Sequence, residues 1–242
     1  MDANAAPFSR ELENASDFAA ISSNGLVSIC GFGSLLSEKS ARSTFPRLLN
    51  FRPGVVKNFR RIFAHIAPIF LERGIANVET KEMSSLSVEP CIGESIVVTV
   101  FEISLLEVPA FIQREHEFRF LEVAVVNSSE ENAIHLCKAV ICAKYSDEEY
   151  LSIRCQGNKD VFYERYGKHG IQQIWRDDIL PCRLYLHHCV LAAKNLGQDA
   201  FESFLDHTYL GDRRTRIREY LDAHPGIMKE QPPEHLRDRY GG

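Results

Sequence analysis

Hydrophobic and polar positions change their period along this chain, and the changes predict the order of its elements. Leu26, Val27, Ile29, Cys30 and Phe32 form a short apolar run between Gly25 and Gly33, the pattern of a buried strand. Ser37 is placed to cap a short helix that ends at or before Pro46. Pro53-Gly54 reads as a turn, and Val55, Phe59 and Phe63 alternate with Asn58 and Arg60 in a half-buried strand over 55–66. After Gly93, SIVVTVFEI has the β-branched density of a strand. A short helix is expected to start near Pro109. FRFLEVAVV (118–126) and IHLCKAVIC (134–142), joined by the polar NSSEENA, read as a hairpin.

The last third switches to helical spacing. Cys182, Tyr185, Cys189, Ala192, Ala193 and Leu196 fall on one helix face, with Gly197 as the stop. Asp199 is expected to cap a second helix through Leu205, and Asp212 a third that carries Ile217, Tyr220 and Leu221 and ends by Pro225. Strands first and helices last predict an α+β fold with an antiparallel sheet. The simplest parse is one domain over 25–225, with a flexible N-terminal arm (1–24) and a mobile C-terminal tail (226–242).

Composition narrows the function. With 28 Lys and Arg against 33 Asp and Glu, the formal charge of -5 offers no basic excess for nucleic acid, so a small molecule or a protein is the expected partner. No apolar run suggests a signal peptide or a membrane span, and the acidic residues near the start are unlike a transit peptide, so a cytoplasmic protein is expected. The seven cysteines include no CxxC pair, which argues against a disulfide framework and a zinc site.

Two segments can carry chemistry. In Cys30-Gly31-Phe32-Gly33-Ser34-Leu35-Leu36, glycines and a serine stand where a strand ends. Such a junction exposes backbone N–H groups that hold a carboxylate or phosphate, or it is simply a tight turn. Leu36 occupies the third glycine position of a dinucleotide fingerprint, and no Gly-Lys-Ser/Thr follows. In Arg114-Glu115-His116-Glu117-Phe118-Arg119-Phe120, a carboxylate at a helix-to-strand corner, among Phe111, Ile112 and Phe118, is either a desolvated general base or part of a solvated run partnered by Arg114 and Arg119. Cys30 reads as a buried strand residue rather than a nucleophile. His187 and His188 diverge on a helix, and Trp175 reads as a packing residue.

Together and in this order, the two segments resemble the γ-glutamylcyclotransferase-like family, which spans γ-glutamylcyclotransferases, ChaC-type glutathione-degrading enzymes and plant AIG2-like proteins. Cys30-Gly31-Phe32-Gly33-Ser34-Leu35 is similar to the family's Tyr-Gly-Ser loop, with Phe32 in the tyrosine position. Arg114-Glu115 is similar to the corner of its catalytic glutamate, with Phe118 where many members have Tyr. PGVVKNFRRIFAH and LPCRLYLHHCVLAAKNLG resemble its second strand and C-terminal helix.

The resemblance implies a small, mostly antiparallel β-barrel flanked by helices. It also implies release of 5-oxoproline from a γ-glutamyl compound by attack of the compound's own α-amine. Glu115 would be the general acid/base, with Glu117 its nearest rival. Gly31, Phe32, Gly33, Ser34 and Leu35 would bind substrate, with contacts from Phe118 and Tyr185. No cofactor or metal is implied. A non-catalytic binding module and a cyclotransferase for γ-glutamylamines are the alternative readings. The polar stretch 146–178 is a candidate lid or partner site.

Overall fold

The computed structural model describes residues 8, 10–128, 130 and 132–240. Its strands are β1 (Arg10–Leu12), β2 (Leu26–Gly31), β3 (Leu49–Ile66), β4 (Glu82–Ser104), β5 (Arg119–Val126), β6 (His135–Ala143), β7 (Leu180–Pro181) and β8 (Thr208–Leu210). Its helices are α1 (Ala15–Ile21), α2 (Glu38–Thr44), α3 (Pro68–Glu72), α4 (Val108–Arg114), α5 (Asp147–Glu149), α6 (Lys159–Arg165), α7 (Arg183–Leu196), α8 (Gln198–Asp206), α9 (Ile217–Ala223) and α10 (Arg237–Tyr240). The fold is α+β, as the pattern predicts.

Five strands close on themselves. β5 pairs β6, β6 pairs β2, β2 pairs β4, β4 pairs β3, and β3 returns to β5 through Val55↔Val126 and Val56↔Val125. All these pairings are antiparallel except β2 with β6. Inside the ring, Val56, Val98, Val100, Val123 and Ile141 make an apolar filling, as inward-facing positions of a small closed sheet must. β3 and β4 outrun the ring, and their far halves, Phe59–Ile66 against Ser84–Pro90, carry His65, Ser85 and Leu86 to one end. α7 packs there, with Leu186, Cys189 and Ala193 buried against Phe63 and Leu86.

The pattern placed most elements, including Ser37 as the cap of α2 and Gly197 as the stop of α7. Pro53-Gly54 is a correction: it lies inside β3, paired with Thr99 and Val98. A Cβ on Gly54 would stand 2.5 Å from Val125 Cγ1, so this glycine allows β5 to close the ring. Asp199 sits in the first turn of α8 behind a Gly197 cap. Asp212 closes the preceding turn instead, accepting from the N–H groups of Arg214 (2.8 Å) and Thr215 (2.9 Å).

Both expected loose ends carry packed residues. β1 pairs with β5, Asn14 caps α1, and Leu12 and Phe18 are fully buried. At the other end Ile227, Leu236 and Tyr240 are buried. Apolar side chains spaced among charges hold these segments down although their mean composition is polar. All seven cysteines are free. Among the described residues, no helix is long and apolar enough to cross a membrane.

Candidate functional site

A cavity of about 760 Å³ opens at the end of the ring where β2 stops. One wall is the loop after β2. Gly31 is required where the loop folds back, because a Cβ there would meet Thr99 Oγ1 at 2.6 Å and Leu35 Cβ at 2.7 Å. Every carbonyl from Phe32 to Leu35 is tied. Phe32 O accepts from Arg61 Nε (2.7 Å), Gly33 O from Leu36 N (3.0 Å), Ser34 O from Ser37 N (3.2 Å) and Leu35 O from Thr99 Oγ1 (2.8 Å). The N–H groups of Gly33, Ser34 and Leu35 have no acceptor among the described residues. A short loop with its carbonyls turned inward and its N–H groups unpaired is polarised to hold an anion.

Arg61 lies beneath this loop and is fully buried. Its other nitrogens donate to the carbonyls of Val97 and Ser203, and burial pushes its pKa down to about 9. It works as a fork of donors for backbone carbonyls rather than as an ion-pair partner.

The facing wall is the turn after α4. Glu115 N donates to Phe111 O (2.9 Å) and Phe118 N to Glu115 O (3.1 Å). This turn brings Glu115 and Glu117, two residues apart, to the cavity together. Their side chains are only 19% and 17% exposed, and both carboxyls border the cavity. Glu115 Oε1 accepts from Arg114 Nε at 2.9 Å. Burial pushes the Glu115 pKa up, and the Arg114 guanidinium opposes that rise.

Glu117 is pushed up to about 8, by burial first and then by the adjacent Glu115. Its Oε1 lies 4.0 Å from His65 Nε2, and burial holds His65 down near 3, so that imidazole is neutral. Both carboxyls are thus pushed up by burial, Glu117 also by its neighbour Glu115, while the Arg114 guanidinium favours the charged form of Glu115.

The structure brings Phe32, Gly33, Ser34, Leu35, Glu115, Glu117, Phe118 and Tyr185 to this one cavity. Gly31 stands behind the loop and shapes it without lining the cavity. Phe118 is 5% exposed, its ring edge-on to His65 (5.1 Å) and Trp175 (5.9 Å). Trp175 is thus a packing residue. A Cβ on Gly33 would come within 2.9 Å of the Tyr185 hydroxyl, so helix α7 sits close against the loop. Cys30 is buried and its thiol is pushed far up by burial, which leaves no thiolate for attack. His188 bonds Ser40 Oγ at 3.0 Å.

The segment 146–178 adds Glu164, Arg165, Tyr166 and Lys168 to the cavity wall. Asp147 anchors it by accepting from Ile174 N (2.7 Å). Sequence reasoning missed Arg61, His65, Arg73, Arg239 and Tyr240. Arg61 and His65 share the alternation of β3, where a buried Arg and His on the apolar parity were the available signal. No group of three or more His, Cys, Asp or Glu among the described residues converges as a metal site.

Several solved structures are similar to the chain. An uncharacterized protein from Homo sapiens shares 16% identity, over 64% of this chain and 91% of its own, with a TM-score of 0.38. A structure described as gamma-glutamyl cyclotransferase shares 14%, over 63% and 90%, with a TM-score of 0.38. YkqA from Bacillus subtilis shares 11%, over 89% of this chain and 58% of its own, with a TM-score of 0.43. No protein-family profile and no curated protein matches the chain.

Proposed function

We propose that this chain is a γ-glutamyl cyclotransferase that releases 5-oxoproline and a free amine from a γ-glutamyl compound. One observation carries the reading: a buried Glu115, bonded by Arg114, shares a cavity with the unpaired N–H groups of Gly33, Ser34 and Leu35.

The reaction needs a neutral α-amine, a folded γ-glutamyl chain and a proton for the departing nitrogen. Glu115 takes the proton from the α-ammonium, and the amine nitrogen bonds to the γ-carbonyl carbon. Collapse of that adduct breaks the bond to the leaving nitrogen, which receives its proton from Glu115, and the second proton of the ring nitrogen passes to the released amine, leaving a neutral lactam and an ammonium. One carboxyl serves as base and then acid. Glu117, neutral beside neutral His65, keeps a second negative charge away from the γ-carbonyl.

The loop N–H groups hold the γ-glutamyl carboxylate or the developing oxyanion. Holding amine and carbonyl within reach supplies on the order of 7–11 kcal/mol in favourable intramolecular systems, so modest acid–base help is enough. The test is 5-oxoproline release from a γ-glutamyl dipeptide, glutathione and γ-glutamyl-lysine. Release is expected from at least one donor, and silence from all three by folded protein contradicts the reading.

A further inference from the structure

We propose that Arg239, carried on α10 and set beside Arg73, is a specificity-determining residue that binds a carboxylate on the amine side of the donor. The inference rests on the cyclotransferase reading and extends it to the class of leaving amine.

The C-terminal segment is part of the cavity. Leu236 and Tyr240 are buried, Tyr240 packs its ring edge-on against His188 at 5.8 Å, and Arg239 and Tyr240 both line the cavity. Arg73 Nη1 donates to the Tyr240 hydroxyl at 2.6 Å and its guanidinium lies over the same ring at 5.6 Å. Arg239 Nη1 donates to Ser43 Oγ at 3.2 Å. Tyr240 thus holds Arg73, and Ser43 holds Arg239, at the wall of the cavity.

Neither arginine meets a carboxylate within ion-pairing distance among the described residues. Of the acids on the cavity wall, Glu115 pairs with Arg114, Glu72 with His169 at 3.2 Å, Glu117 faces His65, and Glu164 makes no ion pair with either arginine. Burial pushes the Arg239 pKa down, Arg114 and Arg73 add to that, and Tyr240 and Tyr185 oppose it. Two half-buried guanidiniums on the wall of one cavity, with no carboxylate among the described residues paired to either, favour an anion that takes a bidentate bond.

The γ-glutamyl unit has one carboxylate, and the loop N–H groups provide for it on the other wall. A second anionic subsite fits a donor whose leaving amine also bears a carboxylate, an amino acid or peptide. It disfavours a γ-glutamylamine whose far end is neutral or cationic.

The experiment measures binding, so that it does not depend on turnover. Calorimetry on Glu115→Gln protein compares γ-glutamyl-alanine with γ-glutamyl-alaninamide, which differ only in that carboxylate. The acid is expected to bind at least about tenfold tighter. Adding Arg239→Gln brings the ratio to within about twofold, and Arg239→Lys leaves an intermediate ratio because it keeps charge without the fork. Equal binding of the two peptides, no binding of either, or a ratio that survives Arg239→Gln overturns the proposal. Release of 5-oxoproline by the unsubstituted protein is read separately. A preference for the acid that Arg239→Gln abolishes, with no release by the unsubstituted protein, removes the cyclotransferase reading and leaves the carboxylate subsite standing.

Discussion

Arg61 reaches from β3 to the carbonyl of Phe32, with Nε 2.7 Å from the oxygen. That bond, with Thr99 on the Leu35 carbonyl, turns the loop's acceptors away from the cavity and its donors toward it. A fully buried arginine serves here as donor to the carbonyls of Phe32 and Val97, and adds a bond to that of Ser203, which also accepts from His207 N at 3.0 Å. Arg61→Met fills the volume and removes the side-chain donor from the Phe32 and Val97 carbonyls, while Ser203 O keeps the His207 N–H. At roughly 1–3 kcal/mol for each unsatisfied buried group, with some relaxation, the expected cost is about 3 kcal/mol. Thermal unfolding should then fall by about 6–12 °C for a chain of this size. An unchanged midpoint would show that the carbonyls find other partners.

Gly33 is the second fixed point of the loop. A Cβ there meets the Tyr185 hydroxyl at 2.9 Å and Leu86 Cδ2 at 3.2 Å, although its backbone conformation lies outside the left-handed region. Gly33→Ala should therefore raise KM by about tenfold, since a displacement of this kind misplaces the donor. Tyr185→Phe removes the nearer obstacle and should restore part of the loss in the double variant. Failure of the second substitution to help would place the damage elsewhere than at Tyr185.

Glu117 makes a stability prediction with a defined sign. Its folded-state pKa is about 8, above the 4.5 of an ordinary glutamate. Between those values the folded protein holds a proton that the unfolded chain has released. The Glu117 contribution thus falls as pH rises from about 4.5 to about 8, by at most about 1.4 kcal/mol per unit, and is flat outside that window. Glu117→Gln stays neutral throughout, so the variant should gain on the wild type across this range and be the more stable protein at pH 8. Denaturation at pH 5 and pH 8 reads the difference directly. A constant gap between the two proteins at both pH values would mean that Glu117 is ionised in the fold.

Tyr240 should behave as a core residue despite standing close to the end of the chain. It is 2% exposed, bonded by Arg73 and packed on His188. Tyr240→Ala is expected to cost about 3 kcal/mol, the lower end for truncating a large buried aromatic. Urea unfolding with an unchanged midpoint would mean that this segment does not dock in solution.

Most strands and the long helix were legible because one side chain in two, or three in seven, faces a core, and the apolar spacing records it. Pro53-Gly54 was misread because the same pair that makes a turn in isolation here admits the Val125 side chain at the closure of a ring, which is a long-range event. The far half of β4 was missed because Ser84, Ser85 and Ser87 lack β-forming side chains, yet all three are buried between neighbouring strands.

At the site, the loop and Glu115 were visible as residue types beside a strand end and a helix end. Their neighbours were not. Arg61 and His65 were hidden in a strand pattern, and Arg239 and Tyr240 in the polar run PPEHLRDRYGG. Only the buried Leu236 and Tyr240 give that run a place in the fold, and two apolar anchors in so many polar residues leave no period to read.

Glu115 carries the central claim, and the most direct measurement is 5-oxoproline release by Glu115→Gln protein beside the wild type, with circular dichroism to confirm that both are folded. Loss of a general acid/base should lower kcat by about 10²–10⁴-fold, with the midpoint of unfolding within a few degrees of the wild type. Turnover in Glu115→Gln equal to that of the wild type would contradict the account, because the proton transfers assigned to Glu115 would then be made by another group.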